Sequence, residues 1–188
     1  MNASIDITDI ILKTQRLILR NWRQEDLEDF YEYAKVDGVG QMAGWLPHES
    51  KEMTHTILDS FIKGKKTFAL ELDGKVIGSL GIETYDPEKY PALADLQGRS
   101  IGYVLSKDYW GRGLMPEAVK AVQKYLFESV HLDFLLISHF VWNGQSRRVI
   151  QKCGFQYLQT SLHETRYGTQ ESTLEYILRK EEWGHAQT

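Results

Sequence analysis

Apolar and polar residues alternate along this chain with two different periods, which predict where strands and helices lie. Apolar residues at every second position, or in short runs, predict strands, whereas spacings of three and four predict helices. The predicted strands are residues 16–20, 68–72, 76–84, 100–106, 134–141, 155–162 and 172–179. The predicted helices are residues 24–37, 51–62, 114–130 and 143–153. This order, β-α-α-β-β-β-α-β-α-β-β, predicts an α/β protein with a mixed sheet of about seven strands and helices on both faces.

Turn-forming residues lie where the pattern changes, and they support these boundaries. The pair Asp73-Gly74 between two strands is a strong hairpin signal. Ser50 is expected to cap the second helix, and Gly154 to end the fourth. Residues 86–98 hold two prolines and show no clear period, which predicts a long surface loop of the kind that is often functional.

Length, charge and cysteine content narrow the class of protein. A chain of 188 residues is most simply one domain spanning 1–188. A formal net charge of −4 does not favour nucleic-acid binding, and no apolar stretch is long enough to span a membrane. Cys153 is the single cysteine, so neither an intramolecular disulfide nor a cysteine metal cluster is expected. The N-terminus does not read as a signal peptide, and we expect a cytoplasmic protein without a metal.

The stretch RSIGYVLSKDYWGRGLMPEA, residues 99–118, predicts a strand, a turn with two glycines and the start of a helix. Free backbone N–H groups at a helix start, together with the helix dipole, form a site for anions such as phosphate. Gly111 and Gly113 suit such a turn, although glycines are also common in turns without any ligand. A Rossmann fold would need regular strand–helix alternation and a GxGxxG motif. The segment GRGLMP lacks the third glycine, so a dinucleotide site is not predicted.

Four tracts of the chain resemble, in the same order, those of one enzyme family. They are TQRLILRNWRQEDLEDFY, IGYVLSKDYWGRGLMPEAV, VWNGQSRRVIQKCGF and YILRKEEW. The family is the GNAT superfamily of acyl-CoA-dependent N-acetyltransferases, and the nearest likeness is to its RimJ/RimL-like branch of ribosomal-protein-alanine acetyltransferases. The resemblance covers nearly the whole chain. It implies a mostly antiparallel sheet, acetyl-CoA as cosubstrate, and direct attack of a primary amine on the thioester.

The resemblance also implies which residues hold acetyl-CoA. The pyrophosphate would lie on the backbone amides of the glycine turn, and the pantetheine arm would run beside the preceding strand. The implied contacts are Tyr103, Val104, Leu105, Trp110, Gly111, Arg112, Gly113, Leu114, Met115, Asn143 and Ser146. Asn143 and Ser146 would reach the pantetheine arm and the thiol end. Capping of the helix that follows is an equally simple reason for an asparagine at that place.

The catalytic groups are less clearly marked in the sequence. Many family members carry a tyrosine acid four residues before a Gly-Phe pair, where this chain has Ile150, so Ser146 is the best substitute and Tyr157 a weaker one. The amine must lose a proton, and Glu83, at the end of its strand, is the first choice of base. A solvated strand-end residue is the alternative for Glu83. His139 is the second choice, although its apolar strand also suits a buried core histidine.

The acceptor would be a primary amine, either a protein or peptide N-terminus or a small molecule. Residues that would line its side of the site are Trp45, His48, His55, Tyr85 and Tyr90. Two other functions remain open at this point: transfer of a longer acyl group, and a CoA-binding sensor or scaffold without turnover. Exposed strand edges near the C-terminus also make a homodimer an expectation.

Overall fold

One mixed sheet of eight strands runs through the molecule in this computed structural model, which describes residues 1–185. The strands are β1 (Leu12–Lys13), β2 (Ile18–Asn21), β3 (Thr67–Leu72), β4 (Lys75–Glu83), β5 (Gly98–Leu105), β6 (Phe134–Phe140), β7 (Gln156–Glu164) and β8 (Gln170–Arg179). The helices are α1 (Leu27–Ala34), α2 (Lys51–Gly64), α3 (Leu114–Glu128), α4 (Gly144–Lys152) and α5 (Lys180–His185). None of the helices within the described residues is both long and apolar enough to cross a membrane.

The strands follow the order β1-β2-β3-β4-β5-β6-β8-β7, and the pairing changes in its middle. Every neighbouring pair is antiparallel except β5 and β6, which are parallel and are connected through α3. These two strands pair only through residues 98–100 and 134–136. Beyond that point β5 continues with β4, and β6 continues with β8. The C-terminal halves of β5 and β6 therefore separate and leave an opening in the sheet.

Helices cover both faces of the sheet, as predicted, because each presents an apolar stripe. On one face α1 and α2 pack against strands β3 and β4 through a cluster that includes Phe30, Tyr33, Leu58, Ala69 and Val76. On the other face α3 and α4 bury a larger cluster that includes Leu70, Leu80, Val122, Leu126 and Ile150. We refer to these as the α1–α2 face and the α3–α4 face.

The predicted turn and capping residues adopt the expected geometry. Asp73 and Gly74 both have positive φ, 50° and 82°, as a tight hairpin between β3 and β4 requires. The Ser50 side chain accepts a hydrogen bond from the Met53 amide at 3.2 Å at the start of α2. Gly154 follows α4 with φ of 80°. These local signals are confirmed.

The structure differs from the predicted elements in four places, and three of these differences have a physical reason. Strand β1 has only two residues, too few for an alternation to be visible, and it raises the count from seven strands to eight. The first α-helix begins at Leu27 because Gln24–Asp26 form a 3-10 turn, whose Asp26 side chain accepts from the Arg23 amide at 2.8 Å. That helix ends at Ala34 rather than at residue 37, shortly before Gly38 takes a φ of 85°. The short α5 after β8 was not predicted.

Candidate functional site

The separation of β5 and β6 opens a cleft of about 220 Å³. Its walls come from the α1–α2 loop, the end of β5, the glycine turn, the start of α3 and one side of α4. Of the residues predicted to hold acetyl-CoA, those that line the cleft are Tyr103, Val104, Leu105, Trp110, Gly111, Gly113, Leu114, Met115, Asn143 and Ser146. Arg112 does not line it, and its guanidinium lies 5.1 Å from the centre of the Tyr109 ring. The fold thus brings together positions that are more than forty residues apart in the sequence.

The glycine turn presents a row of unpaired backbone amides to the cleft. Gly111 and Gly113 have φ of 77° and 75°, which directs the chain into α3. The N–H groups of residues 111–115 donate to no acceptor within residues 1–185. Because they stand at the positive end of α3, they form a site suited to an anion such as a phosphate.

Side chains from distant parts of the chain hold this turn in place. The Trp110 indole donates to the Leu105 carbonyl at 2.8 Å, which ties the turn to β5. Arg16 donates to the Arg112 carbonyl at 2.9 Å and pairs with Glu117 of α3 at 2.6 Å. Arg16 was not among the predicted site residues, because no local pattern links a residue near β1 to a turn about a hundred positions later.

Basic side chains of α4 add positive charge to the cleft. Arg148 and Lys152 line it, four residues apart and therefore on the same side of the helix. Both were missed at the level of sequence, although the spacing of two cations on one helix face is a visible signal. Their charge favours a ligand that carries phosphate groups.

Asn143 and Ser146 join α4 to its neighbours at the rim of the cleft. The Asn143 Oδ1 accepts from the Ser146 amide at 3.0 Å, which caps α4, and its Nδ2 donates to the Met42 carbonyl at 3.2 Å. The Ser146 Oγ lies 2.8 Å from the Tyr103 hydroxyl oxygen. Burial raises the pKa of Tyr103. The cleft therefore contains a pair of hydrogen-bonded hydroxyl groups. Both residues were predicted as cofactor contacts, but their mutual hydrogen bond was not predicted.

Glu83, the first choice of base, lies on the α1–α2 face at the end of β4. It stands opposite Ser100, two residue pairs away from Gly102, where β5 and β6 have separated. Its carboxylate pairs with the Lys66 ammonium at 2.5 Å, and it does not line the cleft. The structure thus places Glu83 beside the opening in the sheet and gives its charge a partner.

His139 lies on β6 with its ring on the α3–α4 face, stacked on Tyr176 at 5.5 Å between ring centres. Its Nδ1 is 2.8 Å from the Phe140 carbonyl oxygen, and its Nε2 is 3.2 Å from the Tyr176 hydroxyl. Burial lowers the pKa of His139, so the neutral ring is favoured. Both ring nitrogens are engaged, which places His139 behind Glu83 as a candidate base.

The other candidate residues, predicted to line the acceptor side or to take part in catalysis, do not lie together in the structure. Trp45 packs on His48 in the α1–α2 loop, 5.1 Å between ring centres, whereas Tyr85 and Tyr90 pack together in the loop after β4. The three aromatic residues named for a common wall therefore belong to two different clusters. Other side chains are less suited to catalysis: His55 and Tyr157 are exposed on α2 and on the outer strand β7, and burial raises the pKa of Cys153 to about 12.

Comparisons with known proteins agree with this architecture. Residues 16–156 match the family described as acetyltransferase (GNAT) domain. YoaA of Bacillus subtilis (strain 168), an uncharacterized N-acetyltransferase, is 30% identical over 153 residues, which are 78% of this chain and 82% of YoaA.

Solved structures show the same fold. A GNAT-family acetyltransferase from Bacillus anthracis superposes with a TM-score of 0.79 at 22% identity, over 92% of this chain and 99% of that one. The ribosomal-protein-S5-alanine acetyltransferase from Vibrio fischeri superposes with a TM-score of 0.70 at 19% identity, over 93% and 99%. The sequence-based prediction of family and fold is confirmed, and the chain belongs to the GNAT family of acetyltransferases.

Proposed function

We propose that this protein transfers the acetyl group of acetyl-CoA to a primary amine, and that the amine is the N-terminus of a protein or peptide. The observation that carries the proposal is the cleft at the separation of β5 and β6, with its row of unpaired amides at residues 111–115. A ligand that has a pyrophosphate at one end and an extended, amide-bearing arm fits such a place. The reaction would take place in the cytoplasm, in line with the single buried cysteine.

The residues present fit acetyl-CoA, which when bound supplies the acetyl thioester. The backbone amides of residues 111–115 would hold the pyrophosphate, and Arg148 and Lys152 would add attraction. Beyond Ser100, β4 still pairs with one edge of β5, but the edge that faced β6 has no strand beside it within the described chain. The Leu105 carbonyl accepts from the Trp110 indole, and the other backbone groups on the open edge are free to bind the amides of the arm. One end of the cleft would thus bind the charged pyrophosphate, and the other would form hydrogen bonds with the arm.

The reaction needs a group that accepts the proton of the amine and a group that stabilises the departing sulfur. Glu83, next to the opening in the sheet, would accept the proton that the amine loses, directly or through water. Ser146, whose hydroxyl is hydrogen-bonded to that of Tyr103, would donate a hydrogen bond to the departing sulfur. A hydroxyl is a weak acid, so this help is modest, but a thiolate is a stable leaving group.

An N-terminal acceptor is supported by two likenesses. The chain resembles the RimJ/RimL-like branch in its motifs, and it shares its fold with the ribosomal-protein-S5-alanine acetyltransferase from Vibrio fischeri. The α1–α2 face beside the opening is only partly covered, since Gly102 and Ser138 are exposed there. A flexible chain end can approach such a surface more easily than a folded segment can.

Release of free thiol from acetyl-CoA tests the proposal. The acceptors are peptides that begin with alanine or serine, the same peptides already acetylated at the N-terminus, spermidine and an aminoglycoside. We expect release with the free peptides and none with the acetylated ones. Release with spermidine or the aminoglycoside alone would keep the reaction and overturn the acceptor. Binding of CoA without release from acetyl-CoA or a longer acyl-CoA would overturn the enzyme assignment of this chain in favour of a sensor or scaffold.

A further inference from the structure

A row of residues crosses the α1–α2 face at the level of the opening and ends at a buried carboxylate. Gly81 pairs with Gly102, and continuing the parallel register of β5 and β6 past its last pair brings Gly102 level with Ser138. Ser138 in turn stands directly opposite Glu175 on β8. Gly102 and Ser138 are small and exposed, whereas Glu175 is only 9% exposed. The face is therefore open at the separation of the strands and leads to one acidic side chain.

Three neutral groups hold the Glu175 carboxylate. The Tyr90 hydroxyl donates to its Oε2 at 2.8 Å, and the Gln159 amide donates to the same oxygen at 2.7 Å. The Ser161 hydroxyl donates to Oε1 at 2.5 Å. Burial acts to raise the pKa of Glu175, but these hydrogen bonds outweigh it and the pKa lies below its usual value. Glu175 is therefore a carboxylate at neutral pH.

The charge of this carboxylate is not neutralised by an ion pair. Within residues 1–185, no lysine, arginine or histidine forms an ion pair with Glu175, and Lys89 acts on it only weakly. A buried anion without a cation is costly, so such groups are normally paired. A carboxylate also offers about four acceptor positions, of which three are used here. One acceptor position, and a charge that no ion pair within residues 1–185 neutralises, remain for a ligand.

We propose that Glu175 binds the amino group of the acceptor in its ammonium form, next to the opening where the thioester would lie. This assignment rests on the proposed function and names the residue that selects a cationic acceptor. Glu83 is less suited to that role, because Lys66 already neutralises it at 2.5 Å. The two carboxylates on this face thus have separate tasks: Glu175 captures the charged amine, and Glu83 serves its deprotonation.

The first experiment compares steady-state kinetics of the protein with those of Glu175→Gln, using the alanine-initial peptide. We expect the KM for the peptide to rise about 10-fold or more, with the KM for acetyl-CoA changed less than about twofold. Glu171→Gln is the control, since Glu171 is half-exposed on the same strand and its side chain accepts hydrogen bonds only from Trp142 and Thr169 among the described residues. Tyr90→Phe removes a donor but keeps the charge and should raise the peptide KM less than Glu175→Gln does.

A purely structural role would give a different pattern. If Glu175 only fastens the loop that carries Tyr90, then Glu175→Gln and Tyr90→Phe would lower Tm and the peptide KM would change equally in both, which overturns the proposal. If Glu175→Gln does not fold, Glu175→Asp is measured instead. Its carboxylate is one methylene further from the acceptor, so it should also raise the peptide KM and leave the KM for acetyl-CoA nearly unchanged. Unchanged peptide KM in the aspartate variant overturns the proposal as well.

A second experiment does not depend on turnover. Calorimetry on the CoA-saturated protein measures binding of the free peptide against its N-acetylated form, and of spermidine against its fully acetylated form. We expect the charged member of at least one pair to bind about 10-fold more tightly, and Glu175→Gln to abolish that preference. A preference that depends on Glu175 without any acetyl transfer overturns the proposed function but supports the ammonium site. Acetyl transfer with no such preference, or with one that survives in Glu175→Gln, overturns the ammonium site and leaves the proposed function intact.

Discussion

At the scale of single residues, the conformation of Gly111 decides whether the turn can present its amides. Its φ of 77° lies in the left-handed region, which costs a residue with a side chain about 1–2 kcal/mol. A Cβ at this position would meet nothing within 4 Å, so crowding is not the reason for the glycine. The reason for the glycine is the backbone conformation alone. This conformation also sets the direction of the N–H groups that would bind phosphate.

Replacement of Gly111 by alanine should therefore weaken CoA binding about 10-fold, as the turn either carries strain or rotates its amides away. Isothermal titration with CoA measures this change. Gly74→Ala is a matched control, because Gly74 has φ of 82° and equally open space, but lies in the hairpin between β3 and β4. It should lower Tm to a similar extent and leave CoA affinity unchanged. Equal CoA affinities of the two variants would show that the turn does not bind the cosubstrate.

At the scale of elements, α4 is the helix whose start shapes the cleft. Its cap residue Asn143 is buried and bonds to the Ser146 amide on one side and to the Met42 carbonyl on the other. One side chain thus sets the first turn of α4 and fixes the α1–α2 loop that forms the opposite wall. Loss of such a cap costs about 1 kcal/mol in a typical helix.

Asn143→Ala should lower the stability by about 1–2 kcal/mol and also weaken CoA binding several-fold, because the loop is released as the cap is lost. Thermal unfolding and CoA titration on the same samples measure both effects. Ser50→Ala removes the cap of α2, which lies outside the cleft, and should reduce stability without changing CoA affinity. A similar CoA affinity for both variants would mean that the Asn143–Met42 contact does not shape the site.

The sequence predicts those parts of the molecule that have a local signal. The Asp73-Gly74 hairpin, the Ser50 cap and the apolar stripe of α3 each depend on neighbouring residues, and each is present in the structure. The two-residue β1 has too little local pattern to be recognised.

Contacts between distant residues carry no such signal. Arg16 on the glycine turn, Tyr103 on Ser146 and the three donors to Glu175 come together only when the sheet is assembled. For this reason most residues that line the cleft were predicted from the sequence, whereas the surroundings of Glu175 were not.

At the scale of the whole molecule, two buried histidines on opposite faces make stability depend on pH. His48 lies in the α1–α2 loop, where its Nδ1 is 2.9 Å from the Thr54 hydroxyl, and His139 lies on the α3–α4 face. Burial lowers the pKa of both below the ordinary value of about 6.5. The unfolded chain therefore takes up these protons at a higher pH than the folded protein does, so acid favours unfolding.

The free energy of unfolding should be fully retained above about pH 6.5 and should fall as the pH is lowered through that value. Carboxylates titrate near pH 4, so the decrease between pH 7.5 and 5.5 belongs mainly to the histidines. Each kcal/mol lost lowers Tm by about 2–4 °C in a chain of this size.

His139→Gln removes one of the two histidines and should therefore make the decrease in Tm with falling pH smaller. Circular dichroism in small pH steps measures this decrease. An equal slope in His139→Gln and the unmodified protein would mean that His139 accepts its proton in the folded state as readily as in the unfolded chain, and the prediction would be wrong.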